Sequence, residues 1–273
     1  MKVWLDLEGT SKAYVENRRD NVKPYLSPAG FKILAHRGST ETGAQENTIA
    51  AFQAAVDAGV VFLETDVQAT KDGIAVLFHD RIVASAGKSV YLMRDFNYDE
   101  VDRYLSSENG LRLPRLSDAL AKYPMARFNL DLKTKEAVAP TIAVIKKLGC
   151  ENRVLVSSFS GRRRRKALKA LPGVATSPHA LLVLRIWFAT KIGKSFLLWR
   201  LLKDIDVLQI PIKIGLLRFD SKPFIDTIHD FGVEIHYWTI NDIAEARRLK
   251  ELGADGIVTD ASKLMESVFG NKH

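Results

Sequence analysis

Two carboxylates two residues apart, Glu64 and Asp66 in "FLETDVQ", form the first pattern in this 273-residue chain that could do chemistry. In a β-strand, residues i and i+2 project from the same face, so the two side chains would share one small volume. Like charges held together out of water are costly unless a cation neutralises them. All-oxygen donors favour a hard ion, Mg2+ or Ca2+. A third carboxylate, Asp131 in "FNLDLK", would complete a protein-bound ligand set, and Lys133 on the same strand face would bring positive charge for an anionic substrate.

Two histidines end extended segments, His36 in "KILAHRG" and His79 in "IAVLFHD". Imidazoles exchange protons near neutral pH. A pair of them at a metal site therefore suits general acid–base work, one taking a proton from a nucleophile and the other giving one to a leaving group. Arg37 offers a planar fork for two phosphate oxygens. Together these parts describe phosphodiester cleavage more naturally than sugar or acyl chemistry. Taken singly, each has a plainer reading, since a strand-end His more often packs or caps than catalyses and a lone Glu-x-Asp commonly faces solvent. Their co-occurrence at strand ends is what gives them weight.

The elements that must position these residues alternate along the chain. Candidate strands are "KILAH", "FLETDVQ", "FNLDLK", "RVLVSSF", "GVATS", "DVLQIP", "EIHYWT" and "DGIVTD", with "IAVLFHD" as an additional extended piece. Segments of helical periodicity separate them, among them "TIAAFQAAVDAG", "VAPTIAVIKKLG", "KPFIDTIHDFG" and "DIAEARRLKELG", several ending in Gly. Eight β-then-α units imply parallel strands with crossover helices, and in this length a closed (β/α)8 barrel of the TIM type, in the α/β class. No Gly-rich dinucleotide loop follows the first strand, which argues against an open doubly wound sheet. The expected organisation is a polar N-terminal arm over 1–30, packed on or flanking the barrel, and a single barrel domain over 31–273. Barrels place catalysis at the C-terminal ends of their strands, where His36, Arg37, Glu64, Asp66, Asp131 and Lys133 all fall.

The formal net charge of +8 favours contact with something anionic. A single cysteine, Cys150, excludes an intramolecular disulfide framework and a cysteine-rich zinc site, and its surroundings suit a buried structural thiol. No apolar core of a signal peptide is visible near the start and no segment is apolar enough to span a membrane, so the expected location is cytoplasmic.

In sequence order, "HRG" (His36–Gly38), "ENT" (Glu46–Thr48), "ETDVQATKDG" (Glu64–Gly73), "HD" (His79–Asp80), "NLDLK" (Asn129–Lys133), "WTIND" (Trp238–Asp242) and "GADGIVTD" (Gly253–Asp260) resemble the glycerophosphodiester phosphodiesterase family. The resemblance covers nearly the whole chain, from about Ile33 to Asp260. It implies a (β/α)8 barrel that uses one divalent cation, Mg2+ or Ca2+, to hydrolyse glycerophosphodiesters to sn-glycerol 3-phosphate and an alcohol. It further implies His36 and His79 as the acid–base pair, Glu64, Asp66 and Asp131 as metal ligands, and Arg37 and Lys133 as phosphate binders. Glu46 and Asn47 would support the metal shell, and Trp238 would form an apolar wall against the glycerol or the leaving group. Two departures stand out. The family usually has Glu where Asp131 stands, and the segment after His79-Asp80 is replaced by "RIVASAGKSVYLMRD".

The run "LLVLRIWFATKIGKSFLLWRLLK" (Leu181–Lys203) reads most simply as one barrel helix, or two broken near Gly193, with its apolar face on the strands. The same run could form an interfacial helix at a membrane, which would make lysophospholipids substrates and the reaction a lysophospholipase D one. "GRRRRK" (Gly161–Lys166) starts a helix whose arginines point in several directions and could meet anionic head groups. No recognisable nucleic-acid-binding module accompanies this cluster, so no nucleic-acid partner is expected. A barrel that binds phosphodiesters without cleaving them is a further reading, disfavoured because both histidines and the carboxylates are present.

Overall fold

The structure, a computed structural model, describes residues 22–27, 29–86, 89–110, 112–193 and 195–270. Most of the 1–30 arm lies outside the described residues. Eight parallel strands run in the order expected of a barrel: β1 (Lys32–Ala35), β2 (Phe62–Ala69), β3 (Arg127–Leu132), β4 (Val154–Ser157), β5 (Ala175–Thr176), β6 (Val207–Ile210), β7 (Glu234–Tyr237) and β8 (Gly256–Thr259). Each coincides with one of the strands expected from sequence. β1 pairs with both β2 and β8, so the ends of the chain's strand order meet. Among the described residues the only seam without a ladder is β5–β6. There the Asp206 amide donates to the Thr176 carbonyl at 3.1 Å, and the Asp206 carboxylate accepts from the Thr176 amide at 2.9 Å.

Strand alternation sorts the side chains. Ile33, Leu63, Val67, Leu130, Val156 and Leu208 point outward and bury against the helices, in two large apolar clusters. Leu34, Phe62, Leu155, Val207 and Val258 point inward, and Tyr25 from the short 3-10 turn Pro24–Leu26 joins them. Higher in the barrel the inward positions become polar: Glu64, Asp66, Asn129, Asp131 and Gln209. The interior is thus an apolar plug beneath a polar floor, an arrangement only a closed sheet can provide.

Three local features aim the site. Helix α1 (Ile49–Asp57) is capped by Thr48, whose hydroxyl accepts from the Ala51 amide at 3.1 Å, leaving Asn47 free to turn inward. Gly38 has φ +88°, and a Cβ there would come within 2.6 Å of the Ala51 Cβ, so the turn after β1 needs glycine. The extended piece Ala75–Leu77 folds back antiparallel on the end of β2. Gln68 then donates to the carbonyls of Phe78 at 3.0 Å and Asp80 at 2.7 Å, and holds His79 over the barrel mouth.

The replaced segment after His79-Asp80 forms a two-stranded hairpin, Ile82–Ala86 with Ser89–Leu92, followed by α2 (Tyr98–Asn109). The remaining helices used below are α3 (Leu116–Lys122), α4 (Val138–Leu148), α5 (Gly161–Ala170), α6 (Ala180–Lys191) and α7 (Ser195–Leu202). The long 181–203 run is therefore two helices broken at Gly193, which has φ +63°. Cys150 is buried, as its setting suggested. No helix among the described residues is long and apolar enough to cross a membrane.

Candidate active site

At the C-terminal ends of the strands lies a cavity of about 460 Å³, lined by His36, Arg37, Glu64, Asp66, His79, Asp131, Lys133 and Trp238 among others. Every residue expected to meet metal or substrate is on its wall, and the two expected to support them, Glu46 and Asn47, stand just behind.

Strand register does much of this. Asp66 and Asp131 are direct partners across β2–β3, which sets two carboxylates abreast. The Lys133 ammonium lies between them, 2.8 Å from Asp66 Oδ1 and 3.0 Å from Asp131 Oδ2. Arg37 takes φ +57°, a left-handed conformation uncommon for any residue but glycine. That turn brings its Nε within 3.0 Å of Asp66 and its Nη1 within 2.9 Å of both Glu46 oxygens, while its amide donates to Glu64 at 3.1 Å. Asn47, also at φ +57°, donates to Asp66 at 3.1 Å and accepts from the Thr65 hydroxyl and the Asp66 amide. Glu46 therefore orients the arginine and Asn47 the carboxylate, a division of labour the motif alone did not show.

The electrostatics are uneven. Burial would push the Asp66 carboxyl up, yet Lys133, Arg37 and Asn47 hold it below the usual carboxylate range. For Glu64 the balance goes the other way: burial first, then the nearby Asp66 and Asp131, push it well above that range, outweighing the Arg37 charge and amide. Asp131 is also raised, by burial that outweighs Lys133, and its Oδ1 is buried without a hydrogen-bond partner. An under-neutralised set of hard oxygen donors with one oxygen unsatisfied fits a divalent cation. As the side chains stand, no three of the described His, Cys, Asp and Glu residues converge closely enough to share an ion. The Lys133 ammonium pairs with both Asp66 and Asp131 in this arrangement.

Each expected acid–base histidine has a carboxylate on its Nδ1. His36 Nδ1 is 2.6 Å from Asp260 Oδ1, and His79 Nδ1 is 2.9 Å from Asp80 Oδ1. Asp260 is itself held by Asn241, whose Nδ2 donates at 2.8 Å, and Asn241 Oδ1 accepts the Asp260 amide at 2.8 Å. Burial works against the Asp260 charge, but hydrogen bonds from His36 and Asn241 keep its carboxyl below the usual range. Asn241 and Asp260 lie within "WTIND" and "GADGIVTD", whose pattern alone assigns neither a role. The register signal was present, because β1 and β8 are the first and last strands of a barrel and Ala35 pairs with Thr259, which sets the next residues, His36 and Asp260, abreast.

The other wall is apolar. Trp238 meets Phe159 edge-on at 6.4 Å between ring centroids, and Pro178, Val183, Ile210 and Ile214 continue the surface. His179, which no motif singled out, also lines this side. Burial first, then the nearby arginines 164, 165 and 185, disfavour its protonated form and hold its basicity below that of an ordinary imidazole. His236, two residues before Trp238, does not reach the cavity wall; it is fully buried and pairs with Glu234 at 3.1 Å. Of the successive arginines, Arg163 turns to Ser158 beside the cavity, Arg164 is buried, and Arg162 and Arg165 face solvent.

The family model described as the glycerophosphoryl diester phosphodiesterase family matches residues 36–264. A Mycobacterium tuberculosis protein named "Probable glycerophosphodiester phosphodiesterase 2" is 34% identical over 246 residues, covering 90% of this chain and 93% of its own. A human lysophospholipase D is 25% identical, covering 84% of this chain and 83% of its own. Among solved structures, an Oleispira antarctica phosphodiesterase in complex with sn-glycerol-3-phosphate superposes with a TM-score of 0.63 at 23% identity, covering 87% of this chain and 96% of that one.

Proposed function

The chain belongs to the glycerophosphoryl diester phosphodiesterase family, and on that premise we propose that it hydrolyses glycerophosphodiesters to sn-glycerol 3-phosphate and an alcohol by histidine general acid–base catalysis at this cavity. The observation that carries the reading is the convergence of two carboxylate-held histidines with Arg37 and Lys133 on one polar floor. Arg37 and Lys133 receive the phosphate and offset its charge. Asp260 and Asp80 fix the ring orientation of His36 and His79, so that one imidazole removes the nucleophile's proton while the other protonates the departing alkoxide. Glu64, Asp66 and Asp131 would hold a divalent cation, Mg2+ or Ca2+. When bound it supplies Lewis-acid stabilisation of charge on the phosphate. Trp238 and Phe159 shield the organic part of the substrate from water. The setting we propose is cytoplasmic, with no nucleic-acid partner.

A second reading, lysophospholipase D-type hydrolysis, is favoured by the apolar wall from Phe159 to Ile214, which exceeds what a small polar alcohol needs. Metal-depleted protein is assayed on glycerophosphocholine and lysophosphatidylcholine with Mg2+ or Ca2+ restored. Metal-dependent release of glycerol phosphate from the first supports the primary reading; choline released from the lysolipid alone supports the second. No product from either substrate overturns both.

A further inference from the structure

Between Gly161 and Lys203 the chain carries eleven of its forty Lys and Arg residues and none of its acids, more positive charge than the whole chain's net +8. Helices α5, α6 and α7 hold nine of the eleven, and α6 borders the cavity. On α6 the barrel-facing positions are Val183, Ile186 and Ala189, all buried, which satisfies what a barrel helix needs. The opposite stripe is exposed and, Arg185 apart, apolar. It runs Leu181, Arg185, Phe188 and, just past the helix end, Ile192, with spacings of four, three and four. Phe188 is 60% exposed. Across the Gly193 break, exposed Phe196 stacks on Trp199 at 5.7 Å, with Arg200 over its ring.

The helix that carries this stripe also borders the cavity. Ala180 and Val183 of α6 line the cavity wall. The Trp187 indole donates to the Arg218 carbonyl at 3.0 Å, tying α6 to the hairpin Lys213–Ile214 with Leu217–Arg218. Ile214 both lines the cavity and is exposed, and Leu216 at the hairpin tip is fully exposed. A nucleic acid would use the cations but not outward Leu, Phe and Ile. A second copy of the chain would set this acid-free face against one equally positive. An anionic bilayer uses both chemistries at once.

We propose that α6, α7 and the Ile214–Leu216 tip form a docking face for an anionic phospholipid surface, the apolar stripe entering the headgroup boundary while Arg185, Lys191 and Arg200 meet lipid phosphates. The cavity mouth then opens at the membrane. Its use for a membrane-borne phosphodiester rests on the phosphodiesterase reading; the docking does not.

Co-sedimentation of the full chain with vesicles, in the absence of any substrate, tests it. Binding is expected to vesicles of phosphatidylcholine with phosphatidylglycerol and to be much weaker with phosphatidylcholine alone. Arg185→Ala should lower the partition about fivefold, the effect of one cation near an anionic surface. Phe188→Asp with Leu216→Asp should abolish it, and hydrolysis of soluble glycerophosphocholine should stay at the wild-type rate, which separates docking from catalysis. Equal binding to neutral and anionic vesicles, undiminished binding by the Phe188/Leu216 variant, binding to nucleic acid but not to vesicles, or a dimer through this face would each overturn the proposal.

Discussion

His36 and Asp260 lie 224 residues apart in sequence and 2.6 Å apart in space because the barrel makes its first and last strands neighbours. Asp260 does not touch the cavity floor, and its proposed work is done through the imidazole it holds. Asp260→Asn keeps the side-chain shape but can no longer anchor the ring with a full charge. Its kcat should fall about 10- to 100-fold, a part of the 10²- to 10⁴-fold that general acid–base transfer contributes, with KM and thermal stability near wild type. Steady-state kinetics beside a melting curve check this, and a fall in stability without one in kcat would make Asp260 purely structural. His36→Ala and His79→Ala should lose about 10²- to 10⁴-fold with the fold intact, and near-normal turnover in both would sink the assignment. Lys133 poses a different question, since its ammonium is the cation between two buried carboxylates. Lys133→Met should cost about 3 kcal/mol in metal-free buffer, as an uncompensated buried pair of charges does, and denaturant unfolding measures it.

At the scale of elements, all eight barrel strands and the helices flanking them were legible, because short runs rich in Val, Leu and Ile, bounded by turn formers, alternate with segments of helical periodicity. Helix α2 was not. The buried apolar residues of its "YDEVDRYLSSEN" are only Tyr98, Val101 and Leu105 among the described side chains, too sparse a stripe to stand out against the charges. The folding back of Ala75–Leu77 on β2 was equally hidden, since an apolar run of three gives no direction of pairing. The β5–β6 seam shows where local pattern gives way to tertiary constraint. With β5 only two residues long, the barrel closes through the Asp206 side chain, whose carboxylate accepts from the buried Thr176 amide. Asp206→Ala leaves that amide without its partner. The expected loss is about 1–3 kcal/mol, and amide exchange at Thr176 should accelerate more than at the β2–β3 ladder. Equal protection in the variant would mean that backbone contacts alone seal the barrel.

Taken as a whole molecule, the chain segregates its chemistry by level: an apolar plug, a charged floor above it, and a basic, partly apolar rim around the mouth. Composition announced the positive charge, and the 161–203 segment announced where it lies, but only the packed helices show which residues face outward. Far from the active site, His229 on the helix Lys222–His229 ties that helix to the stretch before β8, its Nε2 2.7 Å from Asp255 Oδ2, which also accepts the Ile235 amide at 2.7 Å. The Asp255 hydrogen bond raises the His229 basicity above its ordinary value despite partial burial, and Asp226 and Glu234 add to the rise. A group protonated more readily in the folded chain than in the unfolded one stabilises the fold fully below its unfolded pKa, about 6.5, and loses that contribution as the pH climbs through the folded pKa. The melting temperature of the wild type should therefore exceed that of His229→Gln by more at about pH 5.5 than at about pH 8.5, where more of the folded-state imidazole has lost its proton. Melting curves of the two proteins across this range supply the test. A gap that widens toward alkaline pH would show that His229 contributes through its neutral form, and the ion pair with Asp255 would lose its place in the stability of this face.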